Sequence, residues 1–309
     1  MIKVFIDGSA GTTGLRINER LSDRHDLELI RLPEELRKDT EARKDALNRA
    51  DVAFLCLPDA AAVEAVSLID NPNTAVIDTS TAHRISPQWT YGFAELKGQR
   101  EKIQNSKRIA NPGCHASGFI ALIAPLVQEG ILSPDSHLSC VSLTGYSGGG
   151  KKMIAEYREQ SDNVLLQAPR QYGLSQQHKH LPEMQQLTGL TFAPAFCPIV
   201  APFYAGMEVT VPIFREQLKG SDLKSICELY ADYYQTGLVR FVPNADEGGF
   251  LSASAFAGRD DLQISVFGND DRILLVSRFD NLGKGASGAA IQNMNILLGL
   301  PENEGLQIS

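Results

Sequence analysis

Lys3-Val4-Phe5-Ile6-Asp7-Gly8-Ser9-Ala10-Gly11-Thr12-Thr13-Gly14 carries an apolar strand straight into glycines at 8, 11 and 14, and a helical pattern follows as far as Leu21. Glycine lets a backbone approach a ligand closely, and the first turn of a helix presents N–H groups that have no acceptor within the helix. A strand, a GxxGxxG turn and a helix in that order are therefore expected to hold the pyrophosphate of a dinucleotide on Gly8, Ser9, Ala10, Gly11, Thr12, Thr13 and Gly14. The same spacing also serves ordinary glycine-rich βα turns. Its place at the head of a βαβ series is what favours the cofactor reading.

That series is legible outward from the turn. Leu27 to Leu32 reads as a second strand, Val52 to Leu57 as a third, Ala60 to Leu68 as a helix and Thr74 to Ile77 as a further strand. Such alternation builds a parallel sheet. From Gly113 onward the pattern changes. A helix from His115 to Gln128 leads into longer strand-like runs at Leu138 to Thr144, Met207 to Ile213, Gln263 to Val266 and Arg272 to Phe279. These predict a second, α+β domain with a mostly antiparallel sheet, and one more apolar helix follows at Ala286 to Leu298.

The 309 residues are enough for about two domains of ~150 residues each. With 43% hydrophobic and 21% charged residues the chain is expected to be a soluble globular protein. A net charge of −8 argues against a nucleic-acid partner. No apolar run approaches the ~20 residues that span a bilayer, and the amino terminus lacks a signal-peptide layout, so no membrane partner and a cytoplasmic location are expected. The five cysteines are scattered and form no CxxC pair, which suggests neither a disulfide framework nor a zinc knuckle.

An acidic residue after the second strand suits the ribose of NAD, whereas a cation suits the extra phosphate of NADP. Here Leu32-Pro33-Glu34-Glu35-Leu36-Arg37-Lys38 offers both signs. Arg37 and Lys38 are the candidate phosphate contacts, although a charge run of this kind equally makes a solvated face. The local sequence leaves the choice open.

Cys114, in Asn111-Pro112-Gly113-Cys114-His115-Ala116-Ser117-Gly118, stands between a strand-like segment and the apolar helix after it. A thiol at a helix N-terminus gains thiolate character from the positive end of the dipole, and thiolate is the form that attacks carbonyls. His178-Lys179-His180-Leu181-Pro182-Glu183 brings two of the six histidines together. His180 is the candidate for proton transfer, and Glu183, three residues on, for orienting it. As metal ligands the same residues would lack a convincing third segment, and no metal site is expected.

The chain resembles N-acetyl-gamma-glutamyl-phosphate reductase in its shorter second type, within the wider aspartate-semialdehyde and glyceraldehyde-3-phosphate dehydrogenase-like group. Seven segments carry the resemblance: GSAGTTG at 8–14, VIDTSTAHR at 76–84, NPGCHASG at 111–118, TGYSGGGK at 144–151, HKHLPE at 178–183, GMEVTVPI at 206–213 and DNLGKGASGAAIQNMN at 280–295. The resemblance implies an α/β fold, with a Rossmann-like dinucleotide-binding domain over 1–113 and 286–309 and a catalytic and oligomerisation α+β domain over 114–285. It implies NADP as cofactor, reduction of N-acetyl-L-glutamyl 5-phosphate to the 5-semialdehyde through a thioester on Cys114, and a homo-oligomer, favoured as a tetramer.

The resemblance also assigns residues. His180 and Glu183 match the proton-transfer pair, and His178 a group near the thioester oxyanion. Arg84, Asn111, Ser147, Gly148 and Lys151 match the substrate side. Asn281, Lys284 and Gly285 match a segment that returns to the cofactor domain. Two rivals remain at this level: the same chemistry on another acyl phosphate, and a catalytically dead dinucleotide sensor.

Overall fold

The structure, a computed structural model, describes residues 1–160 and 162–308, which form two compact units. One unit comprises Met1–Gly113 with Ala286–Gln307, and the other begins at Cys114 and runs to Gly285. Ser309, counted above with the first domain, lies outside the described residues.

In chain order the first unit contains β1 (Ile2–Asp7), α1 (Thr12–Ser22), β2 (Leu27–Ile30), α2 (Thr40–Arg49), β3 (Val52–Leu55), α3 (Asp59–Ser67), β4 (Ala75–Asp78), β5 (Thr90–Tyr91), α4 (Gln99–Gln104) and β6 (Arg108–Ala110). The second contains α5 (Cys114–Gln128), β7 (Ser139–Gly145), α6 (Gly150–Glu159), β8 (Arg170–Gln171), α7 (Leu181–Thr188), β9 (Ala195–Ala201), β10 (Met207–Phe214), α8 (Leu223–Tyr233), β11 (Val239–Phe241), β12 (Leu262–Gly268) and β13 (Arg272–Phe279). The last helix, α9 (Gly288–Leu298), completes the first unit.

The first unit is a parallel sheet in the order β2-β1-β3-β4-β6-β5. Its inner strands are mostly apolar, and β3 wholly so, because both faces are covered. Side chains alternate across the sheet, so Val4 and Ile6 join Ile17, Leu21, Ile103, Ile291 and Met294 under α1, α4 and α9. Phe5, between them, joins Ala46, Leu47, Ala62 and Ala65 under α2 and α3 on the other face.

The second unit is a mixed sheet in the order β11-β12-β13-β10-β7-β9-β8. Most pairs are antiparallel, as expected, but β7–β9 and β11–β12 are parallel. Strand β9 was missed because Pro198 interrupts its apolar pattern. The proline ring also shapes α5. Pro125 has no N–H to offer the Ala121 carbonyl one turn back, and the Tyr234 hydroxyl donates to that carbonyl at 2.8 Å instead. On β10, Met207, Val209, Val211 and Ile213 are buried, while Glu208, Thr210 and Pro212 on the opposite face are half-buried. Among the described residues no helix is long and apolar enough to cross a membrane.

Candidate active site

The turn after β1 lies where the strand order reverses, since the chain leaves β1 for β2 on one side and returns to β3 on the other. Crevices outside the carboxyl ends of strands at such points are where open α/β sheets bind ligands. Gly8 has φ +84°, and a Cβ there would overlap the Cys56 carbonyl just beyond β3, so only glycine serves. Helix α1 starts at Gly11 with no side chain capping it, which leaves its first N–H groups for an anion. Asp7, immediately before the turn, is buried and receives the Arg43 guanidinium of α2 at 3.0 and 3.1 Å. These residues fit a dinucleotide pyrophosphate.

Beyond β2 the geometry differs from the sequence reading. The strand ends at Ile30, short of Leu32, and Glu34–Leu36 form a single 3-10 turn after Pro33. Arg37 and Lys38 follow that turn and are exposed, several residues past the strand end where they were expected. The cation that directly follows β2 is Arg31, whose Nη2 donates to the Ser22 hydroxyl at 3.3 Å. The charge-run argument passed over it because it precedes Pro33.

In the second unit Cys114 is the first residue of α5 and is half-buried. A Cβ at Gly285 would lie 2.9 Å from the Cys114 Cβ, so the turn after β13 approaches the thiol closely. His115 is buried beside it, and its ring centroid lies 5.6 Å from that of His178 and 5.5 Å from that of His180. His180 caps α7 and is 5% exposed, with Nε2 4.0 Å from Oε1 of Glu183, itself 1% exposed. The His180 backbone N–H donates to Nδ1 of His178 at 3.2 Å. Nδ1 is therefore an acceptor, and a neutral His178 carries its proton on Nε2 as a donor. Among the described residues no three His, Cys, Asp or Glu side chains are grouped to hold a metal ion.

The sequence reading missed the partners of His115. Its Nδ1 meets the Ser142 hydroxyl at 2.7 Å and its Nε2 the Tyr172 hydroxyl at 2.6 Å. Burial pushes the imidazole down to about 3, so it stays neutral. A polar residue at the start of an apolar helix was the available signal for His115. Tyr172 and Ser142 carry no such mark in the sequence.

Several expected contacts have other partners. Asn111 is fully buried. Its Nδ2 donates to the Ala286 carbonyl at 2.9 Å, and its Oδ1 accepts from Asn293 at 3.2 Å, so it ties the end of β6 to the chain entering α9. The Arg84 guanidinium donates to the carbonyls of Asn111 and Thr79 at 3.0 and 3.1 Å. That gives it a positioning role for the loop after β4 and leaves less of its fork for a phosphate. Asn281 is also turned inward, because its Oδ1 accepts from Gly206 N–H at 2.9 Å and its Nδ2 donates to Ser147 at 2.9 Å. That braces two loops of the second unit. Ser147 and Lys284 are each 1% exposed, whereas Gly148, Gly149 and Lys151 of the expected substrate loop are open to solvent.

Comparison with known proteins shows the family. Residues 31–106 match the semialdehyde dehydrogenase NAD-binding domain and residues 114–281 its dimerisation domain. N-acetyl-gamma-glutamyl-phosphate reductase of Brucella ovis is 47% identical over 306 residues, 96% of this chain and 99% of that one. The chain belongs to the N-acetyl-gamma-glutamyl-phosphate reductase family. N-acetyl-gamma-glutamyl-phosphate reductase 2 of a Nostoc species is 46% identical over 98% of this chain and 99% of its own.

Among solved structures, aspartate semialdehyde dehydrogenase II of Vibrio cholerae is similar in fold, with a TM-score of 0.74 at 16% identity over 97% of this chain and 98% of that one. The Candida albicans aspartate semialdehyde dehydrogenase gives 0.68 at 15% identity over 96% and 98% of the two chains. Membership in the family brings a nicotinamide-binding domain and a dimerisation domain to the reductase chain described here.

Proposed function

We propose that the chain reduces N-acetyl-L-glutamyl 5-phosphate to N-acetyl-L-glutamate 5-semialdehyde with NADPH, a step of arginine biosynthesis, through a thioester on Cys114. One observation carries the mechanism: a thiol at the first position of α5 shares its end of the helix with His178, His180 and Glu183. The Cys114 thiolate attacks the acyl carbon, the carbon–oxygen bond to phosphate breaks, and inorganic phosphate leaves with the electron pair. His178, as an Nε2–H donor, stabilises the negative charge that develops on the acyl oxygen. Bound reduced nicotinamide supplies a hydride to the thioester carbon. His180, with Glu183 behind it, gives a proton to the resulting oxygen and removes it again as the carbon–sulfur bond breaks and the aldehyde departs.

For the cofactor, the residues support NADP through cations beyond β2: Arg31 at the strand end and the exposed pair Arg37 and Lys38. Family resemblance further suggests a homotetramer, with the half-buried face of the second unit's sheet as one interface, and five free cysteines suit a cytoplasmic location.

The reverse reaction tests the reading. N-acetylglutamate semialdehyde, NADP and inorganic phosphate are mixed and the absorbance of reduced cofactor is followed, with aspartate semialdehyde as the control. Phosphate-dependent reduction with the acetylated substrate alone is expected. Preference for aspartate semialdehyde would move the chain to another acyl phosphate, and no turnover with either would make it a sensor.

A further inference from the structure

Asp7, Leu55 and Asp78 pair in one row across the carboxyl ends of β1, β3 and β4. Asp78 is fully buried there, and three donors converge on its carboxylate. The Ser80 N–H reaches Oδ1 at 2.9 Å, while Oδ2 takes the Ser80 hydroxyl at 2.7 Å and Nδ1 of His83 at 2.6 Å. A carboxylate only accepts, so the ring proton of His83 sits on Nδ1 and the neutral ring presents Nε2 as an acceptor. The ring also stacks on Trp89, with 4.1 Å between centroids and 16° between planes, and Trp89 packs on the core under α2 and α3. His83 is thus held by an edge and a face. Its Nε2 stays open to solvent and has no hydrogen-bond partner among the described residues.

We propose that His83 is a binding residue for the nicotinamide half of the cofactor, with Nε2 accepting a hydrogen bond from the ribose hydroxyl or the carboxamide N–H of that half. The strand order β2-β1-β3-β4 gives the direction. With the pyrophosphate on the Gly8 turn, the adenosine half extends over the end of β2, which leaves the ends of β3 and β4 to the other half. Neighbouring strands lie ~4.8 Å apart, so the row from Asp7 to Asp78 spans about 10 Å, the scale of a nucleoside. The loop that carries His83 is braced as well, since Thr79 N–H donates to the Leu55 carbonyl at 3.0 Å and Thr81 N–H to Asp59 at 2.9 Å. An acceptor fixed before the ligand arrives costs little to order, and a few such polar groups set a ligand's orientation. Asp78 is a positioning residue that acts only through the tautomer of His83.

The inference rests on the nicotinamide-cofactor reading above, and calorimetric titration of the full chain tests it without turnover. His83→Phe keeps a flat ring on Trp89 and removes the acceptor. It is expected to weaken NADPH binding roughly tenfold and to leave binding of 2′,5′-ADP, which lacks the nicotinamide half, unchanged. Asp78→Asn tests the tautomer. The Ser80 N–H can only donate, so the amide oxygen takes the place of Oδ1 and the NH2 that of Oδ2, where it donates to Nδ1 of His83. The ring proton then moves to Nε2 and the acceptor becomes a donor. NADPH is expected to weaken by about the same factor with 2′,5′-ADP again unmoved, and the double variant to bind no worse than His83→Phe alone.

Equal loss for both ligands marks a merely structural role and overturns the proposal, as does unchanged NADPH affinity in His83→Phe. Should that variant fail to fold, Asp78→Asn decides. Failure of the unaltered chain to bind either NADPH or NADH would overturn the cofactor reading and this one together. The acetylpyridine analogue of NADPH, whose acetyl group has no N–H, separates the two donors. Persistence of the His83→Phe loss with the analogue assigns the ribose hydroxyl, and its disappearance assigns the carboxamide.

Discussion

A histidine sealed away from water gains a proton only when the fold opens, and His115 is sealed between Ser142 and Tyr172. Its imidazole is pushed down to about 3 from the usual 6.5. Above pH 6.5 neither the folded nor the unfolded chain holds that proton. As pH falls from 6.5 toward 3 the unfolded chain takes it up and the folded one does not, so stability is lost at up to ~1.4 kcal/mol per pH unit. Urea unfolding at stepped pH is expected to show that slope, and His115→Gln to lose it. Turnover belongs to neighbouring residues. Cys114→Ser is expected to abolish reduction while leaving cofactor titration unchanged, since serine is scarcely ionised near neutrality. His180→Asn is expected to lower turnover by ~10² to 10⁴ and erase the limb of the pH–rate profile that reports proton transfer. His178→Asn is expected to lower turnover by ~10² to 10³ without moving that profile. Loss of the limb in His178→Asn alone would exchange the two roles.

The elements that matter to the cofactor are a turn and a strand end. The turn was legible because glycine spacing and strand–helix alternation are local properties, written within one short stretch that holds Gly8, Gly11 and Gly14. The end of β2 was less so, because Pro33 stops the strand by a backbone effect that the apolar run Leu27 to Leu32 conceals. Arg31 was overlooked for that reason. Asn111, Arg84 and Asn281 sit in motifs that read as ligand contacts, and they also have partners far along the chain, at Ala286, at the Asn111 carbonyl and at Gly206, which spacing does not encode. Cys114, His178, His180 and Glu183 stand out in the sequence as candidates because chemistry restricts the residue types suited to such work, and the fold brings them to one end of α5 and α7. For the strand end, Arg31→Ala and the pair Arg37→Ala with Lys38→Ala are each expected to weaken NADPH binding ~10-fold or more, the range of a lost charge-assisted hydrogen bond, and NADH binding little. Fluorescence titration of both cofactors checks this, and equal weakening would move the phosphate contact elsewhere.

Across the whole molecule, the first unit is assembled from two separate stretches of chain. Helix α9 brings Ala290, Ile291, Met294 and Ile296 to one face of its sheet, all buried. Met294→Ala is expected to destabilise that unit by ~2–5 kcal/mol, the usual result of truncating a buried side chain. Thermal melts with and without NADPH should show an earlier first-unit transition and weaker stabilisation by cofactor, with the oligomer intact by light scattering. A ribosome, however, makes these pieces in order. When β6 emerges, the face that α9 will cover still exposes Ile77, Ile103 and Ile109, and it stays uncovered while the entire second unit is translated. The thiol-bearing unit can finish before the nucleotide-binding one, and a message cut short ahead of α9 yields a chain with its nucleophile folded and an oily sheet open to chaperones and proteases. The sheet of the first unit is thus closed only after α9 has been made.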